Sequence, residues 1–203
     1  TGLSITPSDK LVHKNMGISC FALDAPLETK SAAVRQYLET YSESDIAKNA
    51  TFAKRSCWFR FLDGKTPDAF MVFMTHLGPR IILNQANANA TNGMYRVNFE
   101  RMYHGDKKLA LISLQTTFSQ LEAERLGRAR GSGALKLEPF DAKQIPICLP
   151  HKNPDDIAKA FTLIDNYMRT GAEELARKAA DDFIFSDLPA FRAELGRLES
   201  SLL

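Results

Sequence analysis

The spacing of apolar residues changes along the chain, and each change predicts a different kind of structure. Residues 1–28 mix Gly, Pro and Ser with one short apolar run, Met16 to Leu23, which reads as a strand. Within Thr29 to Tyr41, Val34, Tyr37, Leu38 and Tyr41 fall at helical spacing, and Ser44 and Asp45 suit the cap of a second short helix. A strand-rich middle follows. Ser56 to Asp63 alternates Trp58, Arg60 and Leu62 against Cys57, Phe59 and Phe61, with Asp63-Gly64-Lys65 as a turn signal. Ala69 to His76 is rich in Phe and Met, Gly78-Pro79 breaks the chain, and Arg80 to Asn84 and Met94 to Glu100 resume strand-like patterns. Small polar residues fill 85–93, which reads as a loop. Together these segments predict a meander of four or five strands.

From Leu109 the period becomes helical. Leu111, Leu114, Phe118 and Leu121 recur at spacings of three and four, predicting one amphipathic helix to about Leu126. A Gly-rich loop, Gly127 to Gly133, ends it, and Leu135, Leu137 and Pro139 lead to an extended closing segment at Ile145-Pro146-Ile147. After Pro150 every signal is helical. Asn153-Pro154-Asp155-Asp156 joins an N-cap, a proline at the first helical position and two acids opposing the helix dipole. Ile157, Phe161, Ile164 and Met168 form that helix's apolar stripe, and Gly171 stops it. Leu175, Ala179 and Phe183 mark a second helix. Ser186 or Asp187 suits the cap of a third, with Leu188, Phe191, Leu195, Leu198 and Leu202 in its stripe. The class predicted is α+β: a β-rich domain with flanking helices over residues 1–150, then a three-helix segment over 151–203.

Composition narrows the function classes. At 44% hydrophobic and 25% charged residues the chain has the make-up of a globular protein, which excludes disordered, collagenous and coiled-coil readings. No apolar run approaches a membrane span. The chain opens at Thr1 without an initiator Met or a signal peptide, so a piece of a longer protein is expected. Cys20, Cys57 and Cys148 are odd in number and widely spaced, which suits a reducing cytoplasm and no disulfide framework. The net charge is only +2, but residues 1–150 hold 19 Lys and Arg against 14 Asp and Glu, and residues 151–203 hold 7 against 10. Arg125, Arg128, Arg130 and Lys136 form a run without an acid among them. A basic front and an acidic rear suit a polyanion held by one face.

Catalytic patterns are sparse. His13, His76, His104 and His151 are scattered without metal-ligand spacing, and no nucleophile elbow, Walker loop or dinucleotide fingerprint occurs. Two motifs remain, in order. The first is Gly78-Pro79-Arg80-Ile81-Ile82-Leu83-Asn84, preceded by Arg55-Ser56-Cys57-Trp58-Phe59 and followed by Ala90-Thr91-Asn92 and Tyr95-Arg96-Val97-Asn98-Phe99. The second is Leu126-Gly127-Arg128, Gly131-Ser132-Gly133-Ala134-Leu135-Lys136-Leu137-Glu138-Pro139 and Gln144-Ile145-Pro146-Ile147. Over roughly residues 10 to 148 this ordered pair resembles the C-terminal target recognition region of amino-type, adenine-N6-specific DNA methyltransferases of restriction-modification systems. The family's Asn-Pro-Pro-Tyr-type tetrapeptide and its cofactor-binding Gly-rich unit do not occur here. The resemblance therefore implies a recognition module without its engine: no catalytic residue, metal or cofactor in this chain, and S-adenosylmethionine bound by the parent's catalytic domain. Its implied partners are double-stranded DNA and the parent's methyltransferase domain, with no membrane.

A base inside a duplex must be flipped out before it is methylated, so a second domain has to hold the duplex and read its flanks. Phosphate contacts set register and base-edge contacts set sequence, with Asn suited to adenine and Arg to guanine or phosphate. The loop 84–93 offers Asn84, Gln85, Asn87, Asn89 and Asn92; Asn also tolerates turn geometry, which is the structural reading of the same residues. Arg55, Arg60, Arg80 and Arg96 suit phosphates or solvated strand faces. Arg128, Arg130 and Lys136, beside glycines that admit a close backbone approach, suit a phosphate or the end of a helix. Trp58 suits a core aromatic or a stacking platform. Two other classes stay open: a protein-interaction or scaffold domain acting through the acidic tail, and a stand-alone enzyme of another type.

Overall fold

The computed structural model describes residues 2–9, 25–60, 65–76, 78–90, 93–99 and 106–202. The chain forms two compact units: Leu11–Thr66, and Thr1–Lys10 together with Pro67–Leu203. The strand expected at Met16 to Leu23 lies outside the described residues.

The smaller unit contains three short helices, α1 (Ala32–Leu38), α2 (Glu43–Lys48) and α3 (Ala50–Ala53). Each begins at a polar cap. Ser31 accepts from Val34 N, Asn49 accepts from Thr51 N and Phe52 N, and Ser42 with Asp45 closes a capping box. The cap of α2 is thus Ser42, and the predicted Ser44 lies inside the helix. None of the three helices buries a residue. The alternation over Ser56 to Arg60 predicts a strand, but this segment forms bends and a turn. The Trp58 ring packs on Tyr41, Phe52 and Phe59, with centroids 4.9, 5.3 and 5.7 Å away. Ring packing back onto the helices wins over extension, because a segment apolar on both faces has no solvated side for a sheet to present.

The larger unit is built on two small sheets. Strands β1 (Ser4–Ile5), β2 (Ala69–Met71), β4 (Ile81–Asn84) and β5 (Tyr95–Val97) form one, in the order β1-β4-β2-β5. The other holds β3 (Met74–Thr75), β6 (Arg128–Ala129) and β7 (Leu135–Lys136), in the order β3-β7-β6. All pairings are antiparallel except β1 with β4, where Ser4 lies opposite Leu83. Strands β2 and β3 are separated by only Val72 and Phe73, so one stretch of chain serves both sheets.

Where one helix was predicted, two are found: α4 (Lys107–Leu114) and α5 (Thr117–Leu126). Thr116 divides them by capping α5, its side chain accepting from Ser119 N. Helix α4 is buried from Leu109 through Leu114 on every side, so its apolar pattern carries no solvent face for the period to reveal. A short helix, α6 (Pro139–Ala142), lies in the closing segment, and Ser113 and Ser119 lace that segment to α4 and α5 by accepting from Cys148 N and donating to Pro146 O, both at 2.7 Å.

The tail forms α7 (Pro154–Arg169), α8 (Glu173–Ile184) and α9 (Pro189–Leu202). Asn153 caps α7, and the predicted stripe Ile157, Phe161, Ile164 and Met168 is buried. The stripe of α8 is shifted by one residue from that predicted: Ala176, Ala180 and Ile184 are buried, while Leu175 is 51% exposed. Helices α7, α8 and α4, with Leu3 and Leu195, share one hydrophobic cluster. A second cluster joins Met71, Leu114, Ala123, Leu137 and Ile145. Asp181 of α8 adds a polar tie, accepting from Thr117 N at 2.8 Å and Thr117 Oγ1 at 2.6 Å where α5 begins. The class is α+β, as expected. No helix among the described residues is long and apolar enough to cross a membrane.

Candidate functional site

Helix α5 delivers the chain into a hairpin. Gly127 caps the helix, its N–H donating to Ala123 O at 2.8 Å. A Cβ at Gly127 would meet the Leu135 side chain at 2.5 Å, so glycine is what allows β7 to pass this close to the helix end. The turn closes when Arg130 N donates to Ala134 O at 2.8 Å, with Gly133 in the left-handed region at φ 75°. Directly opposed residues in antiparallel strands share a face. The registers Arg128 to Lys136 and Met74 to Lys136 therefore set Met74, Lys136 and Arg128 side by side across three strands. Leu135, one residue away, turns inward to the second cluster.

Glu138 is an acid beside this cationic face. Lys136 Nζ lies 2.7 Å from Glu138 Oε1, and Tyr95 Oη donates to Glu138 Oε2 at 3.4 Å. The hydrogen bond from Lys136 holds the Glu138 carboxyl below its usual range, and the nearby Arg128 charge adds to this. Burial and the Glu138 charge push the Tyr95 phenol up. Arg128 and Arg130 are exposed and form no ion pair among the described residues. Sequence reasoning names Arg128, Arg130 and Lys136 but misses Met74, Tyr95 and Glu138, because cross-strand register leaves no mark in linear spacing.

The Asn-rich loop is organised from within. Asn84 Nδ2 donates to Pro67 O and Ala88 O, both at 2.9 Å, and its Oδ1 accepts from Ala88 N at 2.8 Å. Both donors and the acceptor oxygen of that amide are engaged in the loop's own shape. Asn87 is exposed and left-handed at φ 48°, a conformation Asn tolerates better than most residues. Asn89 Oδ1 accepts from Ala90 N at 2.8 Å, and Asn92 lies outside the described residues.

The other predicted arginines are dispersed. Arg80 forms a half-buried ion pair with Glu173 of α8 at 2.8 Å. Arg96 is exposed on the edge strand β5, opposite Phe70. Arg55 and Arg60 are exposed in the smaller unit. The first motif has a packing role as well: Gly78 is left-handed at φ 83°, a Cβ there would collide with Gln120 Oε1, and Gln120 Nε2 donates to Pro79 O at 3.1 Å.

A family model described as "Type II methyltransferase M.Eco57I, C-terminal domain" matches residues 1–185 of the 203. The chain belongs to this family. It is thus the C-terminal part of a type II methyltransferase, in a restriction-modification context. No curated protein and no solved structure matches it. The match extends beyond the 10–148 span of the two motifs, through α7 and α8 to Ile184 and Phe185. Helices α7 and α8 share a hydrophobic cluster with α4. Among the described residues no group of three or more His, Cys, Asp or Glu is placed to hold a metal ion.

Proposed function

We propose that this methyltransferase C-terminal domain grips duplex DNA and reads bases beside the target. In this reading the parent's catalytic domain, carrying S-adenosylmethionine, methylates the N6 of a flipped adenine in the cytoplasm. The observation that carries the reading is the hairpin after α5. Three cations on one short hairpin, two of them without an ion-pair partner among the described residues, sit at the end of a helix fixed in the core. Such a group suits a phosphate backbone, where each neutralised phosphate releases counterions. Asn87 and Asn89 on the loop after β4 are the candidate base readers, with Asn84 as the residue that shapes the loop. Arg96 in the larger unit, and separately Arg55 and Arg60 in the smaller unit, are further candidates for phosphate contact, and Asn92, outside the described residues, is a candidate base reader from the sequence.

The chain itself supplies neither catalytic group nor cofactor site in this proposal. A second surface favours the tail as the seat of a protein partner: Leu163, Tyr167, Leu175 and Phe183 line an open groove of about 520 Å3 between α7 and α8. The parent's methyltransferase domain is the partner this fits.

The test is anisotropy of a labelled duplex with the whole chain. Arg128→Ala with Arg130→Ala should weaken binding to all sequences alike and reduce the salt slope by about 1.8, two contacts at about 0.9 each. Asn87→Ala should instead change which sequence is preferred. A double arginine variant that binds like the parent at every salt concentration removes the hairpin from the interface.

A further inference from the structure

Several cations of the larger unit are held in ion pairs, although Arg128 and Arg130 are not among the described residues' pairs. In the larger unit Arg80 pairs with Glu173, Lys107 with Asp68, Lys136 with Glu138, and Arg169 with Asp9 and Asp165. In the smaller unit, Lys48, Lys54, Arg55 and Arg60 are all exposed, and none makes an ion pair among the described residues. No acid occurs between Lys48 and Arg60. Arg55 Nη1 donates to Arg60 O at 3.3 Å, which draws the guanidinium across the loop that carries Trp58.

The same unit carries exposed ring surface among its described residues. Tyr37 and Tyr41 are 51% and 38% exposed, their hydroxyls are 3.4 Å apart, and Tyr41 rests on Trp58 with centroids 4.9 Å apart. Helices α1 to α3 bury nothing, so the rings form the main apolar feature of this face. Rings stack on the faces of bases, and cations neutralise phosphates; together they hold strands whose bases are unstacked. A paired base shows only its edges, so exposed ring faces gain little from an intact duplex.

We propose that the Tyr37–Tyr41–Trp58 face, with Lys48, Lys54, Arg55 and Arg60, binds unpaired nucleotides of a DNA strand. The proposal rests on the reading of the chain as a DNA-gripping domain and adds the form of DNA taken by the smaller unit. Extruding a base for modification breaks stacking and creates such nucleotides.

Trp58 is the chain's single tryptophan, so its emission reports on this face alone. The whole chain is titrated with a single-stranded oligonucleotide and with the duplex of the same sequence. The single strand should quench Trp58, with a log affinity against log salt slope of about −3 from four cations at about 0.7 each. Tyr41→Ala should weaken single-strand binding on the order of tenfold, while Tyr41→Phe, which keeps the ring, should preserve it. Lys54→Gln with Arg60→Gln removes two unpaired surface charges without touching a packed group, and should flatten the slope by about 1.4. A silent Trp58 at saturating single strand overturns the proposal, as does unchanged affinity in a Tyr41→Ala variant that melts like the parent. Salt-sensitive duplex binding with a silent Trp58 removes this face from DNA while leaving the hairpin reading in place. Trp58 quenching by the single strand without duplex binding upholds the proposal and removes the hairpin reading.

Discussion

Replacing Asp181 with Ala tests how firmly the tail helices hold the cationic hairpin. The carboxylate is 9% exposed and accepts two hydrogen bonds from Thr117 at the first turn of α5. Truncation leaves a buried N–H and a buried hydroxyl without that acceptor, at about 1–3 kcal/mol for each orphaned group. It also removes a negative charge from a helix N-terminus, worth about 0.5–1 kcal/mol. The relief of no longer burying a carboxylate opposes both, so a net loss of about 3 kcal/mol is the expectation. At about 2–4 °C per kcal/mol for a domain of this size, Tm should fall by about 6–12 °C. Asp181→Asn keeps an oxygen for Thr117 N–H and should lose only about 1 kcal/mol. Differential scanning calorimetry of the whole chain measures both. An Asp181→Ala variant melting within about 1 °C of the parent would refute the argument, because two buried donors cannot lose their acceptor without cost.

Three further outcomes follow from the same contacts. Gly78→Ala places a side chain at φ 83° and against Gln120 Oε1, so it should cost more than the roughly 1–2 kcal/mol of a left-handed residue alone, seen as a lower urea midpoint with unchanged m-value. Glu138→Gln releases Lys136 from its 2.7 Å pair and should tighten duplex binding by about two- to five-fold at low salt; weaker binding would mean that Glu138 positions the lysine rather than competing for it. The Arg169 guanidinium hydrogen-bonded to Asp9, with Thr6 N–H, lowers the Asp9 carboxyl from its ordinary 3.8 to about 2. A carboxyl depressed on folding stabilises the protein above about pH 4 and loses that contribution as pH falls from about 4 to 2, for about 1 kcal/mol after allowance for partial exposure. Arg169→Gln should flatten the stability profile in that window, and urea midpoints at pH 5 and pH 2.5 decide it.

The parts of the fold readable from sequence are those where one face meets solvent or a cap is local. The start of α7 and its buried stripe are legible because Asn153, Pro154 and the 3.6-residue period all point the same way. Helix α4 is less so: burial from Leu109 to Leu114 erases the polar face, and the break at Thr116 depends on one side chain choosing Ser119 N. The turn at Ser56 to Arg60 mimics a strand because aromatic residues fall on both parities, and only the Tyr41, Phe52 and Phe59 rings decide that Trp58 folds back. At the candidate site, the basic run through Arg128, Arg130 and Lys136 is visible in sequence. The placement of Met74 and Tyr95 beside it is a property of strand register and hydrogen bonding. The engagement of Asn84 is equally hidden, since an amide that shapes a loop and one that reads a base look alike in sequence.

The salt dependence of duplex binding by the whole chain tests the central claim most directly. With Arg128, Arg130 and Lys136 each neutralising a phosphate, log affinity should fall against log salt with a slope of about −3 or steeper. A slope near zero, or no binding to duplex DNA at low salt, would contradict the assignment of this domain to gripping DNA.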